Sequence, residues 1–407
     1  MLAVLTGVGV GLLRDTFPVL TIVIYELPLL FSLRIKSPVM FDRPEFLADL
    51  KTFVGFKTIV CANRDEFRKA RGWIKAFFDS ELTAFDEREY SGLTSLIVKP
   101  TDSLRPRILG DGHIEVVPGA DHLFELVEEG GHLHGRGVAD MKTQCLMMMY
   151  VLRYLIAEGR HNDFWLLFTE DEEVGSDHGV REMVYYLCEH GTSPHAVFAP
   201  DGGPDFAYVE KEKGIMSFTA TTTGMAAHAS RPFLGDNAVD KMIAFYAELQ
   251  KSYPNPTSEQ DWVVSLSMTK IAAGEALNAI PDRCEAGFDV RLTERENVDD
   301  LAAQIEETGR AFDAEVVFGE KDTATYYPKE APIAKQFISV LRRVSGKEPE
   351  ILHSNGASNG RLYVARNPDI HVLMSNPTVV GAHANAECVV AASLEPYYQL
   401  VLETALL

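Results

Sequence analysis

The sequence predicts an α/β protein: a mostly parallel sheet with helices on both faces, carrying an inserted β-α-β-β-α-β unit of ferredoxin-like order. Three observations predict it. From Met40 onward, short apolar strands alternate with helical stretches. Near Val209 the texture changes to longer, half-exposed strands rich in Thr. After Glu320 the helix and strand pattern resumes, so the first domain is discontinuous. These breaks set the expected boundaries: an apolar extension over 1–39, one domain over 40–208 and 321–407, and a second over 209–320.

The elements follow in order. "RPEFLADLKTFV" and "EFRKARGWIKAFFDSEL" repeat apolar residues at helical spacing. "SLIVK", "RILGDGHIEVVP", "DFWLLFTE" and "HAVFAPDGG" read as strands, each closed by polar residues or by Gly and Pro. Between them, "MKTQCLMMMYVLRYLIAEG" reads as a helix stopped at Gly159. In the insert, "KGIMSFTATTTG" is a strand and "GDNAVDKMIAFYAELQKSY" a helix. "DWVVSLSMTKIAAG" and "RCEAGFDVRLTE" are alternating strands, "NVDDLAAQIEETGRAF" a helix, and "AEVVFG" a last strand. "IAKQFISVLRRVSG" then returns to helix and "IHVLMS" to strand.

Composition narrows the function. The chain has 407 residues, enough for two domains, and a globular hydrophobic fraction of 46%. Lys and Arg number 38 against 59 Asp and Glu, a net charge of -21. So acidic a surface, with no basic stripe, repels phosphate backbones and excludes nucleic acid as a partner. The five cysteines, Cys61, Cys145, Cys188, Cys284 and Cys388, are scattered and lack CxxC spacing. They fit a reducing compartment, here the cytoplasm, rather than a disulfide framework. The first 39 residues are more apolar than the rest. Arg14, Asp15, Pro18, Glu26 and Pro28 interrupt the run of about 20 apolar residues that a spanning helix needs. A poor membrane tether, a packed extension and sequence upstream of the true start all remain open. The broken pattern favours a dispensable or artefactual extension over a tether.

The chemistry gathers where strands end. "GHIEVVPG" presents His113 and Glu115, "GRGVADMK" presents Asp140, and "APDGG" presents Asp201. "FTEDEEVGSD" presents Glu172 and Glu173 within four adjacent carboxylates, and "GAHANAE" presents His383. Any one of these is weak alone. A charge run is usually a solvated face, an Asp before a helix an N-cap, and Asp-Gly-Gly a turn. Together they sit after apolar strands, where open α/β sheets bind ligands. Two imidazoles and several carboxylates form a mixed N/O donor set suited to zinc or a related divalent ion. A cation makes such crowding of negative charge favourable.

In order, these motifs resemble the zinc amidohydrolase and peptidase family of acetylornithine deacetylase, succinyl-diaminopimelate desuccinylase, aminoacylase and the glutamate-releasing carboxypeptidases. H-x-D-V-V-P stands here as "HIEVVP", G-R-G-x-x-D-M-K as "GRGVADMK", and T-x-D-E-E-x-G as "TEDEEVG". "GMAAHASRP", "GDNA", "NAIPD" and "HANAE" continue the match to the C terminus.

The resemblance implies two co-catalytic divalent metals, zinc first, with cobalt or manganese as alternatives. Asp140 would bridge them, His113 and Asp201 completing one site, Glu173 and His383 the other. The Asp140-Met141 peptide would be cis. Glu172 would be the general base. The insert would be a lid and dimerisation domain in a homodimer. His228 would stabilise the oxyanion, often in the partner's site. Asn278 and Arg291 would bind a substrate carboxylate, and Gly356 and Arg361 in "GASNGR" would mark a further docking segment. Three departures stand out: Glu115 in place of the Asp that orients the His ligand, Ala357 and Asn359 in place of Thr and Asp, and altered residues inside "HANAE". The expected substrate is an N-acyl amino acid or small peptide. Dipeptidase or carboxypeptidase activity is the rival within the family. A non-catalytic binding protein is the rival outside it, opposed by the full ligand set with Glu172.

Overall fold

The computed structural model describes residues 41–60, 62–160, 163–176, 178–258 and 260–407, with the short strands Gly11–Leu12 and Ile22–Val23. The expectations for the rest of residues 1–39 and for Cys61 lie outside the described residues. The chain divides into two compact units, 1–46 and 47–407. In the first, Gly11–Leu12 pairs antiparallel with Ile22–Val23. Every candidate site residue lies in the second. Among the described residues, no helix is long and apolar enough to cross a membrane.

The central sheet has six strands in the spatial order 371–373, 196–198, 108–113, 164–169, 93–100 and 83–90. The first four are mutually parallel. The last two join antiparallel as a hairpin, Thr83–Tyr90 with Leu93–Pro100, whose first strand the sequence pattern did not predict. Alternation explains the two covered faces. Leu109, Trp165, Leu167 and Val197 pack against Val180, Met183, Val184 and Leu187 of the helix Val180–Glu189. On the opposite face, a Cβ at Gly110 would meet Met148 Sδ at 2.6 Å, and one at Gly112 would meet Cys145 Sγ at 2.6 Å. These glycines let the helix Lys142–Ala157 lie close on the sheet. That helix is apolar nearly all round and buried from Lys142 to Leu152, as an enclosed helix should be. Gly159, at φ 61°, follows its end.

The expected β-α-β-β-α-β order is present as strands Gly214–Thr223, Ser265–Ala273, Arg283–Leu292 and Ala314–Asp322, with helices Ala238–Ser252 and Val298–Ala311. In space the strands run 265–273, 283–292, 214–223, 314–322, all antiparallel. This is the ferredoxin-like arrangement. Its apolar residues form a core of their own, with Phe218, Phe245, Leu266 and Phe288 at most 3% exposed. Asn237 and Asn297 cap the two helices, each accepting backbone N–H bonds from the first turn. Boundaries moved modestly. The "RILGDGHIEVVP" strand stops at His113, and "AEVVFG" continues to Asp322.

Candidate metal centre

Each expected ligand stands just beyond a parallel strand or in a loop beside one. His113 closes the strand Ile108–His113 and is fully buried. Glu172 and Glu173 open a single helical turn after Phe164–Thr169, and Asp201 follows Ala196–Phe198. Asp140 precedes the helix Lys142–Ala157, and the Asp140-Met141 peptide is cis. His383 lies on a loop at φ 66°, an uncommon conformation for a non-glycine residue.

The side chains converge. His113 Nε2 is 2.9 Å from Asp140 Oδ1. His383 Nε2 is 3.2 Å from Asp140 Oδ2 and 2.9 Å from Glu173 Oε2. Ligand atoms of His113, Asp140 and Glu173 lie within 4.8 Å of one another, as do those of His113, Glu172 and Asp201. Asp140 thus touches both imidazoles, the position a bridging ligand requires. Two imidazoles with this many carboxylates fit a pair of divalent ions by donor chemistry.

The electrostatics carry the strain of that crowding. Burial pushes Glu172 up to about 7, with His113 partly offsetting and Asp140 and Glu173 adding to the rise. Burial, then Asp140 and Glu172, hold Asp201 well above the ordinary carboxylate range. Hydrogen bonds to Asp140 and Glu173 push His383 up to about 10. For His113, burial opposes protonation, but Glu115 and Asp140 outweigh it and the ring's affinity for a proton rises. A metal ion supplies the positive charge that protons supply otherwise.

The four-acid run divides into two pairs. Glu170 accepts from Thr94 N–H at 2.9 Å and pairs with Arg71. Asp171 accepts N–H bonds from His178, Gly179 and Val180 at 3.1, 2.7 and 3.0 Å, tying down the start of the next helix. Only Glu172 and Glu173 remain for the pocket.

Glu115 behaves differently from the expected orienting carboxylate. The backbone carbonyl of Glu115 contacts His113 Nδ1 at 3.2 Å, while its carboxylate Oε1 stands 3.6 Å from that nitrogen. Oε1 instead accepts the Glu173 N–H at 3.2 Å. Burial pushes this group up to about 8.

A cavity of about 500 Å³ opens over the cluster, lined by Asp140, Glu172, Glu173, Asp201 and His383 together with Arg291, Gly356 and Arg361. That volume suits a small ligand. Arg291 pairs with Asp289, Nε to Oδ1 at 3.0 Å. Arg361 lines the cavity but is committed elsewhere: it donates to Asp322, Glu320, Ser358 O and Gly175 O. These bonds fix where its guanidinium stands at the cavity wall. His228 and Asn278 are not brought to this cavity. His228 sits on the exposed strand Ala227–His228, opposite Ala279, and Asn278 O accepts the Ala229 N–H. Their end of the strand Arg283–Leu292 is eight residues from Arg291, roughly 27 Å at about 3.4 Å per residue. Sequence reasoning missed Glu212 and Glu320, which line the cavity, because no local motif marks them.

The fold and the donor set together define a metal-dependent hydrolase of the α/β class. The chain belongs to Peptidase family M20/M25/M40, whose model matches residues 110–407. It is 26% identical over 344 residues to a succinyl-diaminopimelate desuccinylase of Rickettsia felis, covering 77% of this chain and 87% of that one. An M20 family metallo-carboxypeptidase from Sulfolobus solfataricus superposes with a TM-score of 0.73 at 13% identity, over 90% of this chain and 99% of its own. A Bacillus subtilis protein described as a dinuclear metal binding peptidase of the M20 family gives 0.61 at 12% identity, over 89% and 98%. The chain is an enzyme of this metallopeptidase class, acting on amide bonds.

Proposed function

We propose that the chain hydrolyses the amide bond of N-acyl amino acids, in the manner of a deacetylase or desuccinylase. The observation that carries this reading is Glu172, facing the same cavity as the ligand cluster and Arg291. His113, Asp140, Glu173, Asp201 and His383 would hold two divalent ions, with zinc the first choice and cobalt or manganese as alternatives. Bound there, such ions polarise the scissile carbonyl and lower the pKa of water. Glu172 takes the proton of the attacking water and delivers it to the leaving amine. Arg291 receives the substrate carboxylate, because a planar fork of donors matches a carboxylate.

The unit over 209–320 acts as lid and dimerisation domain. Exposed His228, too distant for its own cavity, serves the partner's site in a homodimer, where it stabilises the oxyanion. Asn278 lies beside it and travels with it. The scattered free thiols Cys145, Cys188, Cys284 and Cys388 support a cytoplasmic setting. The likeness to a metallo-carboxypeptidase keeps peptide hydrolysis as a second reading.

The test is a hydrolysis panel on metal-stripped protein reloaded with zinc, cobalt or manganese. N-acetyl and N-succinyl amino acids should be cleaved faster than dipeptides. Faster cleavage of dipeptides replaces the first reading with the second. Binding without turnover in any metal form refutes both.

A further inference from the structure

Glu387 lies four residues beyond His383, is 3% exposed, and belongs to neither cluster of ligand atoms. Its Oε1 accepts the backbone N–H of Gly137 and of Ala139, each at 2.9 Å, and that of Asp140 at 3.4 Å. Its Oε2 accepts from Arg136 Nη1 at 2.8 Å, and the same nitrogen donates to the Ala384 carbonyl at 3.2 Å. A ring of backbone N–H groups closing on one oxygen is an anion nest. Gly137 makes it possible: its φ is 87°, and a Cβ there would meet Val116 Cγ1 at 2.8 Å.

These bonds join two loops that are distant in sequence. One ends in Asp140; the other carries His383. The two ligands meet at 3.2 Å. His113 is fully enclosed, whereas the His383 side chain is 53% exposed, so packing alone does not fix it. Its place depends on the loop beneath, and that loop is tied to the Asp140 loop through Glu387 and Arg136.

We propose that Glu387, with Arg136, is a positioning residue that sets the geometry between Asp140 and His383 and so governs the metal site that Glu173 and His383 complete. The inference rests on the two-metal reading above. Without the clamp, the His383 side loosens. The His113 and Asp201 side stands on strand ends and is disturbed less.

Zinc titration of the metal-stripped full chain by isothermal calorimetry tests this, comparing wild type with Glu387→Ala, Glu387→Gln, Arg136→Met and His383→Ala. Two binding events are expected for wild type, with His383→Ala identifying the one that uses His383. Glu387→Ala should weaken that event about tenfold or more and the other, which shares Asp140, clearly less. Glu387→Gln keeps an oxygen for the nest, and Arg136→Met keeps the nest but loses the ion pair, so both should fall between. Circular dichroism and cobalt absorption spectra separate a folded, altered site from an unfolded chain. If Glu387→Ala fails to fold, the two milder variants decide. A folded variant that retains both events at wild-type affinity, or loses both equally, overturns the clamp. A wild-type chain that binds no zinc overturns the metal reading itself, and the clamp with it.

Discussion

The pocket around Asp140 and the core beneath the Gly214–Thr223 sheet both bury side chains, to opposite effect. In the sheet core, Met216, Phe218, Phe245, Leu266, Phe288 and Val290 are at most 3% exposed, and the rings of Phe218 and Phe288 stack at 4.4 Å. Each such side chain contributes about 1.5–3 kcal/mol by leaving water. In the pocket the buried groups are carboxylates and imidazoles. One oxygen of Glu115, beneath the cavity, is buried without a partner, and burial raises the proton affinity of Glu115, Glu172 and Asp201. Charges buried together without a counterion oppose folding. The difference teaches that stability and chemistry are assigned to separate parts of the chain, and that a metal load reconciles the second with the first.

The sharpest way to separate them is Glu172→Ala. Hydrolysis should fall by about 10²–10⁴ if the residue is the base. Metal content, measured by mass spectrometry, should stay near wild type. The metal-free variant should melt no lower than wild type, because one buried acid has left a crowd of acids. A variant that keeps turnover removes the base assignment; one that melts much lower shows that the pocket contributes stability after all.

The reciprocal change is Phe288→Ala. It deletes a stacked ring from a packed core and should cost about 3–5 kcal/mol in denaturant unfolding. Below its unfolding transition, the variant should bind zinc with wild-type affinity. A parallel loss of zinc affinity would mean that the two regions are mechanically coupled, against the division drawn above.

The two regions also differ in how far they could be read in advance. The sheet was legible because strand alternation and helix periodicity are local patterns, and the ferredoxin-like order follows from them. The residues of the cluster were legible because each ends a strand or marks a motif. What escaped depends on long-range contacts. Glu170 and Asp171 cannot be told from Glu172 and Glu173 by type. They are set apart by Arg71 and Thr94 on one side and by the N–H groups of 178–180 on the other. Glu387 stands plainly in "HANAE", but its use depends on a loop some 250 residues earlier. Arg361 was legible as a candidate, but its bonds to Glu320 and Asp322, far upstream, were not.

The smallest effect is a dependence on pH, and its sign belongs to the pocket. Glu172, at about 7, and Glu115, at about 8, hold protons more tightly when the chain is folded than when it is unfolded. His383, at about 10, does the same through its hydrogen bonds to Asp140 and Glu173. A group with a raised folded value favours the folded state fully below its unfolded value, and that advantage is lost as pH climbs through the folded one. For the two glutamates the loss begins near 4.5 and ends near 7 and 8; for His383 it begins near 6.5 and ends near 10. All three slopes agree. Asp140, held below the ordinary range, titrates at lower pH and does not oppose them near neutrality. Scanning calorimetry of metal-stripped protein should therefore show the melting temperature falling by a few degrees from about pH 6 to about pH 9. Added zinc displaces protons from its ligands, so its stabilising increment should grow over the same interval. A stripped protein whose melting temperature is flat or rises across that range would place the unfavourable charge outside the pocket, and the contrast between the two regions would lose its electrostatic basis.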